Sequence, residues 1–224
     1  MSERKKNWIF FTIIFLLFLF LDIAMAILYM FFINTNSLTL VETMIISFLK
    51  YISLFIIFIT TFKDYLKEKW LDFKKHFTKY FEISFKYWFV GFIIMITSNL
   101  VINRFISGLG ENEAGIQELI TEAPIIAFIM TTICAPFIEE MVFRKSLQNC
   151  FKNKVYFMIT SGLLFGLIHV IGSANIYEYL LIIPYGALGF MFAKTINETD
   201  NIYCTIMMHL LHNGILTLIA IIGL

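Results

Sequence analysis

The chain has 224 residues, 59% of them apolar and only 15% charged, with 26 phenylalanines and a formal net charge of +1. Soluble domains average about 45–50% apolar and about 25% charged residues. A soluble globule of this length could not bury so much apolar surface and a disordered chain would not carry it, so the composition is that of a polytopic membrane protein.

A membrane helix needs about 20 apolar residues, and seven stretches qualify: 8–33, 38–62, 82–103, 124–147, 155–173, 176–195 and 202–223. The expected fold is all-α, a single integral membrane domain over 1–224 with about seven transmembrane helices. The first stretch follows Arg4, Lys5 and Lys6. It is too long for the apolar core of a cleaved signal peptide, so it is read as a span that stays. Between the second and third spans, segment 63–81 sets Phe62, Leu66, Trp70, Phe73 and Phe77 at helical spacing with lysines opposite. It reads either as an interfacial helix on anionic lipid or as a solvated basic loop. Its place against the membrane argues against nucleic acid as a partner; the lipid bilayer is the expected one. The fourth span is the least regular, since it contains Pro136 and ends in a charged cluster. Cys134, Cys150 and Cys204 have no C-x-x-C neighbour and read as reduced, small apolar residues.

Lysine and arginine alternate along these connections. Lys63, Lys67, Lys69, Lys74, Lys75 and Lys79 fill the second, Lys145, Lys152 and Lys154 the fourth, and Lys194 closes the sixth span. The connection at 34–37 has no base, and 104–123 sets Arg104 against Glu111, Glu113, Glu118 and Glu122. With seven spans in the cell membrane, this bias puts the N-terminus in the cytoplasm and the C-terminus outside.

An ionisable group at the centre of a membrane helix costs at least about 2.5–3.5 kcal/mol, so each one needs a reason. Asp22 and Lys50 lie nearly equally far from the turn at 35–36, which suggests an ion pair fixing the register of the first hairpin; proton movement is the other reading. A second collection comprises Glu139-Glu140…Arg144, Phe165…His169 and His209…Asn213. Glu140 and Arg144, four apart, share a helix face and can pair. Glu139 points about 100° away and is left free to meet another helix. A free carboxylate with an imidazole can hold and deprotonate a water, and a second imidazole with an amide can donate to an oxyanion. Each string alone also reads as helix packing or interhelical polar glue; their combination on three spans favours a site.

Those strings carry a resemblance. The pattern E-E-x-x-x-R, F-x-x-x-H, H-x-x-x-N is similar to that of the CPBP (Abi-type) intramembrane proteases, which include the type II CAAX prenyl endopeptidases and bacteriocin-processing or immunity proteins. It covers 118–224, including the glycine-rich run Pro184–Gly189; spans within 1–110 carry no family motif. The resemblance implies a glutamate-dependent endopeptidase acting on a membrane peptide or protein. Glu139 would be the general base, with His169 helping to hold the water. His209 and Asn213 would stabilise the oxyanion, with Glu140 and Arg144 in support; His212 matches no motif position. No cofactor is expected. Zinc on Glu139, His169 and His209 is the less favoured alternative, the string H-E-x-x-H being absent. A leader peptide, a pheromone or a bacteriocin precursor would suit the site better than a prenylated terminus in a host that does not prenylate. The competing functions are a non-catalytic immunity or membrane-binding protein and an ion-coupled transporter. One tension stands in the spacing. His169 lies about 22 Å along its span from Lys154, but Glu139 only about 9 Å from Lys145, so the two meet only in a tilted cavity.

Overall fold

The computed structural model describes residues 1–106 and 110–223, which form helices without strands among the described residues. In chain order they are α1 (Glu3–Ile33), α2 (Leu40–Thr61), α3 (Lys63–Lys75), α4 (Phe77–Ile102) and α5 (Glu111–Glu122). They continue with α6 (Pro124–Ser146), α7 (Lys154–Ile168), α8 (Ile176–Thr199, whose first turn, Ile176–Leu181, is 3-10) and α9 (Ile202–Ile222).

Six of these, α1, α2, α4, α6, α8 and α9, are long and apolar enough to cross a membrane. The expected fifth span, 155–173, is instead the 15-residue α7. At 1.5 Å per residue α7 is about 22 Å long, short of about 30 Å of hydrocarbon. Beyond α7 the chain runs irregularly, through Gly172 at φ 93° to Ala174, whose N–H donates to Glu111 at the start of α5. The described helices thus give six candidate spans and one shorter apolar helix, close to the seven expected. The third begins at Phe77 rather than 82, because the preceding helix α3 ends at His76.

Segment 63–75 is a helix folded back on the bundle. It buries Leu66 and Phe73, while the amide of Asn201, the N-cap of α9, donates to Lys69 O (2.8 Å) and Asp72 Oδ2 (3.0 Å). In the first hairpin, Lys50 Nζ lies 2.6 Å from Asp22 Oδ2, as the equal distances from the turn require.

The core gathers Phe58, Phe143, Phe157, Phe165 and Ile138, all at or below 2% exposure, from α2, α6 and α7. Helices α7 and α8 approach closest. A Cβ on Gly162 would stand 2.7 Å from Gly186 O, and one on Gly166 2.6 Å from Ile182 O. Gly162 and Gly166 form the small-xxx-small stripe that lets membrane helices touch backbone to backbone. The apolar side chains that remain exposed, such as Phe81, Phe85 and Phe89 along α4, form the outer surface of the bundle.

Candidate active site

The irregularity of α6 positions the site. Pro136 has no N–H to donate and its ring crowds the carbonyl four residues back. The helix absorbs this with a π stretch, Ile129–Cys134, and makes a second at Met141–Ser146. The carboxylate pair stands in the short α segment between them, Ala135–Glu140. Such widened turns are frequent at functional sites.

The two carboxylates part ways as the sequence spacing predicts. Glu140 is fully buried, and its Oε2 lies 3.1 Å from Arg144 Nε, also fully buried. The contact is not aligned as a hydrogen bond, and among the described residues no acceptor meets Nη1 or Nη2. The guanidinium instead lies 4.8 Å from the Phe165 ring centre, 5.6 Å from Phe192 and 6.0 Å from Phe143, an aromatic enclosure that favours a cation. Glu139 faces the other way, onto a cavity of about 440 Å3.

His209 joins the two. Its Nδ1 donates to Glu140 Oε1 at 2.9 Å, and its Nε2 lies 3.7 Å from Glu139 Oε2. Phe192 stacks on its ring at 5.0 Å and Phe165 meets it edge-on at 5.6 Å. Because Glu140 accepts the Nδ1 proton, the ring orientation is set and Nε2 is the end that faces Glu139 and the cavity. Asn213, one turn further along α9, spends one amide proton on the carbonyl of Thr131, at 2.9 Å within the first π stretch. Its second amide proton is free for the cavity it lines.

His169 caps α7. Its Nδ1 donates to Phe165 O at 2.7 Å, and its ring stacks on Tyr185 at 4.3 Å and 18°. A carbonyl can only accept, so Nδ1 carries the proton and Nε2 presents a lone pair. The tension in the sequence spacing resolves through helix register. Ser161 Oγ donates to Phe143 O (2.8 Å), which fixes where antiparallel α6 and α7 are level. From there Glu139 is about 6 Å up α6 and His169 about 12 Å up α7, and the backward lean of helical side chains brings His169 towards Phe165. Both line the cavity, and no hydrogen bond or ion pair joins them among the described residues.

The six residues singled out from sequence therefore divide. Glu139, His169, His209 and Asn213 line the cavity, whereas Glu140 and Arg144 stand behind it, holding His209. Sequence reasoning passed over Tyr185, which stacks on His169, and Tyr51 of α2, another lining residue. The glycines at 186 and 189 were a usable signal for Tyr185, since they press that stretch of α8 against α7. His212, which matches no motif position, also lines the cavity and accepts from Trp88 Nε1 at 3.4 Å.

The donors for a divalent metal would be Glu139, His169 and His209. Among the described residues no three such groups converge on one point, and His209, whose Nδ1 is held by Glu140, has Nε2 as its free ring nitrogen.

Comparison with known proteins agrees with the motifs. Residues 121–215 match the family described as type II CAAX prenyl endopeptidase Rce1-like. The chain is 28% identical over 153 residues to UPF0177 protein YvdC of Lactococcus lactis, covering 63% of this chain and 57% of that protein. It is 31% identical over 132 residues to "Putative membrane peptidase YdiL" of Bacillus subtilis, covering 55% and 51%. A second Lactococcus lactis protein, UPF0177 protein YbdI, is 32% identical over 114 residues, covering 47% and 63%. The chain spans about half to two thirds of the length of these curated relatives. No solved structure matches. The stretch 121–215, which contains every residue of the motif set from Glu139 to Asn213, is thus the part of the chain that is similar to the type II CAAX prenyl endopeptidases.

Proposed function

We propose that this protein is an intramembrane endopeptidase, hydrolysing a peptide bond of a membrane-associated peptide or protein with a water activated by Glu139 and His169. The observation that carries the reading is the shared cavity, in which a carboxylate, two imidazoles and an amide from three helices face one enclosed space. The Rce1-like match over the same helices supports it.

A water between Glu139 and the Nε2 lone pair of His169 gives its proton to the carboxylate as its oxygen bonds to the substrate carbonyl carbon. The oxyanion that forms takes hydrogen bonds from the free amide proton of Asn213 and from Nε2–H of His209. With both ring nitrogens protonated, His209 and Arg144 balance Glu139 and Glu140 charge for charge. Collapse of the intermediate breaks the C–N bond, and the proton held by Glu139 goes to the leaving amine.

The basic end of the bundle faces the cytoplasm in this reading, with the N-terminus on the cytoplasmic side of the cell membrane. The test compares membrane peptidomes of cells expressing wild type and Glu139→Gln at equal abundance. Loss of the general base lowers turnover about 10²–10⁴-fold, so the expected result is a set of peptide ends present with wild type and lost with the variant. Identical peptidomes overturn the reading in favour of a binding or immunity role. A membrane-permeant zinc chelator in a parallel arm leaves the cleavage intact if the water is activated as written.

A further inference from the structure

The cavity has a second polar wall that the chemistry above does not use. Helix α5 lies at the end of the bundle away from the lysines and contributes Asn112 and Glu113 to the lining. Of the carboxylates at this end, Glu178 and Glu111 have structural duties. Glu178, 6% exposed, accepts from the backbone N–H of Glu111 through Oε2 at 2.9 Å. Glu111 in turn accepts from Ala174 N at 3.0 Å. Glu113 has neither duty. It is half-buried, and among the described residues it makes no ion pair and no side-chain hydrogen bond. Across the cavity, Asn99 of α4 has a buried Oδ1 without a hydrogen-bond partner among the described residues. The same cavity is lined by Tyr185, whose ring covers His169.

The electrostatics of the two walls differ. Around Glu139, the negative charges of the carboxylate pair are answered by Arg144 and His209. On the α5 wall, an acceptor-only carboxylate and an unpartnered amide oxygen face the cavity, and among the described residues no cation pairs with that carboxylate. A half-buried carboxylate in such a place is stabilised by a cation brought in from outside. We propose, on the basis of the endopeptidase reading, that Glu113, assisted by Asn112 and Asn99, forms a subsite for a cationic group of the substrate, selecting peptides that carry an ammonium or guanidinium close to the scissile bond. The cation is supplied either by a Lys or Arg side chain or by a free amino terminus. All three polar residues are hydrogen-bond partners for either group, and Glu113 alone supplies the charge.

The test uses the full-length protein in vesicles of phosphatidylethanolamine and phosphatidylglycerol. Peptides reproducing the cleavage sites found in the Glu139→Gln comparison are remade with Lys, Gln or Glu at each flanking position, each with a free or an acetylated amino terminus. Wild type is expected to cleave the Lys peptides about tenfold faster, in kcat/KM, than their Gln counterparts, the scale of one hydrogen bond to a charged group. Glu113→Gln brings that ratio towards one, and Glu113→Lys inverts it in favour of Glu peptides. If acetylation rather than the Lys-to-Gln change abolishes the preference, the subsite reads the amino terminus. A preference for Lys that survives both variants, or no preference in wild type, overturns the subsite and leaves the endopeptidase standing. An absence of Glu139-dependent sites overturns both.

Discussion

Arg144 is an arginine with no exposed surface, and among the described residues it forms its ion pair with Glu140, itself fully buried. Removing one partner of such a pair costs about 3–5 kcal/mol, because the other is left as an uncompensated buried charge, whereas replacing both with apolar groups can be close to neutral. Glu140→Gln is therefore expected to lower the unfolding midpoint in detergent sharply, and Glu140→Leu with Arg144→Met to recover much of the loss, as read by thermal unfolding. The double variant should stay inactive, since His209 loses the acceptor that holds its ring in place. The same logic applies to Asp22 and Lys50, 2.6 Å apart and partly exposed. Asp22→Asn with Lys50→Met should accumulate better in membranes than either single variant, and equal or worse accumulation would remove the pair from the account of the first hairpin. At this scale the sequence was informative wherever partners were four apart in one helix or symmetric about one turn. It was silent on Glu140 holding His209, because 69 residues separate them and only the packing of α9 against α6 brings them together.

Elements are set by small residues and caps more than by hydrophobic pattern, which in this chain is nearly continuous and so says little about which face meets which. The contact of α7 with α8 is the clearest case. A Cβ at Gly166 would enter to 2.6 Å of Ile182 O, backbone against backbone, so neither side can yield without separating the helices. Gly166→Ala is expected to lower both the unfolding midpoint and the activity, because His169 and Tyr185 ride on the two helices being parted. Gly115→Ala on α5, where nothing stands within 4 Å, should be neutral or stabilising by up to about 1 kcal/mol. The seven-span reading counted α7 as complete because its apolar run continues past Ile168. The helix ends there for reasons of local geometry, with His169 turning its ring onto the last free carbonyls. The junction of α3 with α9 rests on Asp72, which accepts from Tyr80 Oη (2.7 Å), Asn201 Nδ2 (3.0 Å) and His76 Nδ1 (2.9 Å). These donors, Tyr80 foremost, hold the Asp72 carboxyl below its ordinary value. A depressed carboxyl contributes stability that is fully present above the ordinary value and is lost as pH falls through the folded one. The unfolding midpoint of wild type should thus drop on acidification through that window more steeply than that of Asp72→Asn, which is already lower at neutral pH.

At the scale of the whole molecule, contacts far apart in sequence sort the chain into two ends of opposite character. Asn7 Nδ2 donates to Asn149 O at 3.2 Å, Lys145 Nζ lies 3.4 Å from the centre of the Tyr65 ring, and Lys69 pairs with Asp200 at 2.8 Å. These three contacts gather the N-terminus, α3, the α6–α7 connection and the α8–α9 connection at one end, and with them most of the lysines. Glu111, Glu113 and Glu178 stand at the other, where α5 reaches Ala174. A membrane protein whose basic residues share one end is oriented by them towards the cytoplasm. The incomplete α7 still has to carry the chain from the basic end to the acidic one for this sorting to hold, so orientation and the number of passages are tested together. In a background with Cys134, Cys150 and Cys204 replaced, single cysteines are placed at Lys5, Thr35, Lys74, Asn175 and Gly223. In intact cells a membrane-impermeant maleimide should label Thr35→Cys, Asn175→Cys and Gly223→Cys, and should reach Lys5→Cys and Lys74→Cys only after lysis. The opposite pattern at all five positions would invert the protein and point its acidic α5 wall at the cytoplasm. Labelling of Thr35→Cys without Asn175→Cys would mean that α7 turns back before crossing. The cavity would then open to the same side as the lysines, and the cation subsite on α5 would lose its place beside His169.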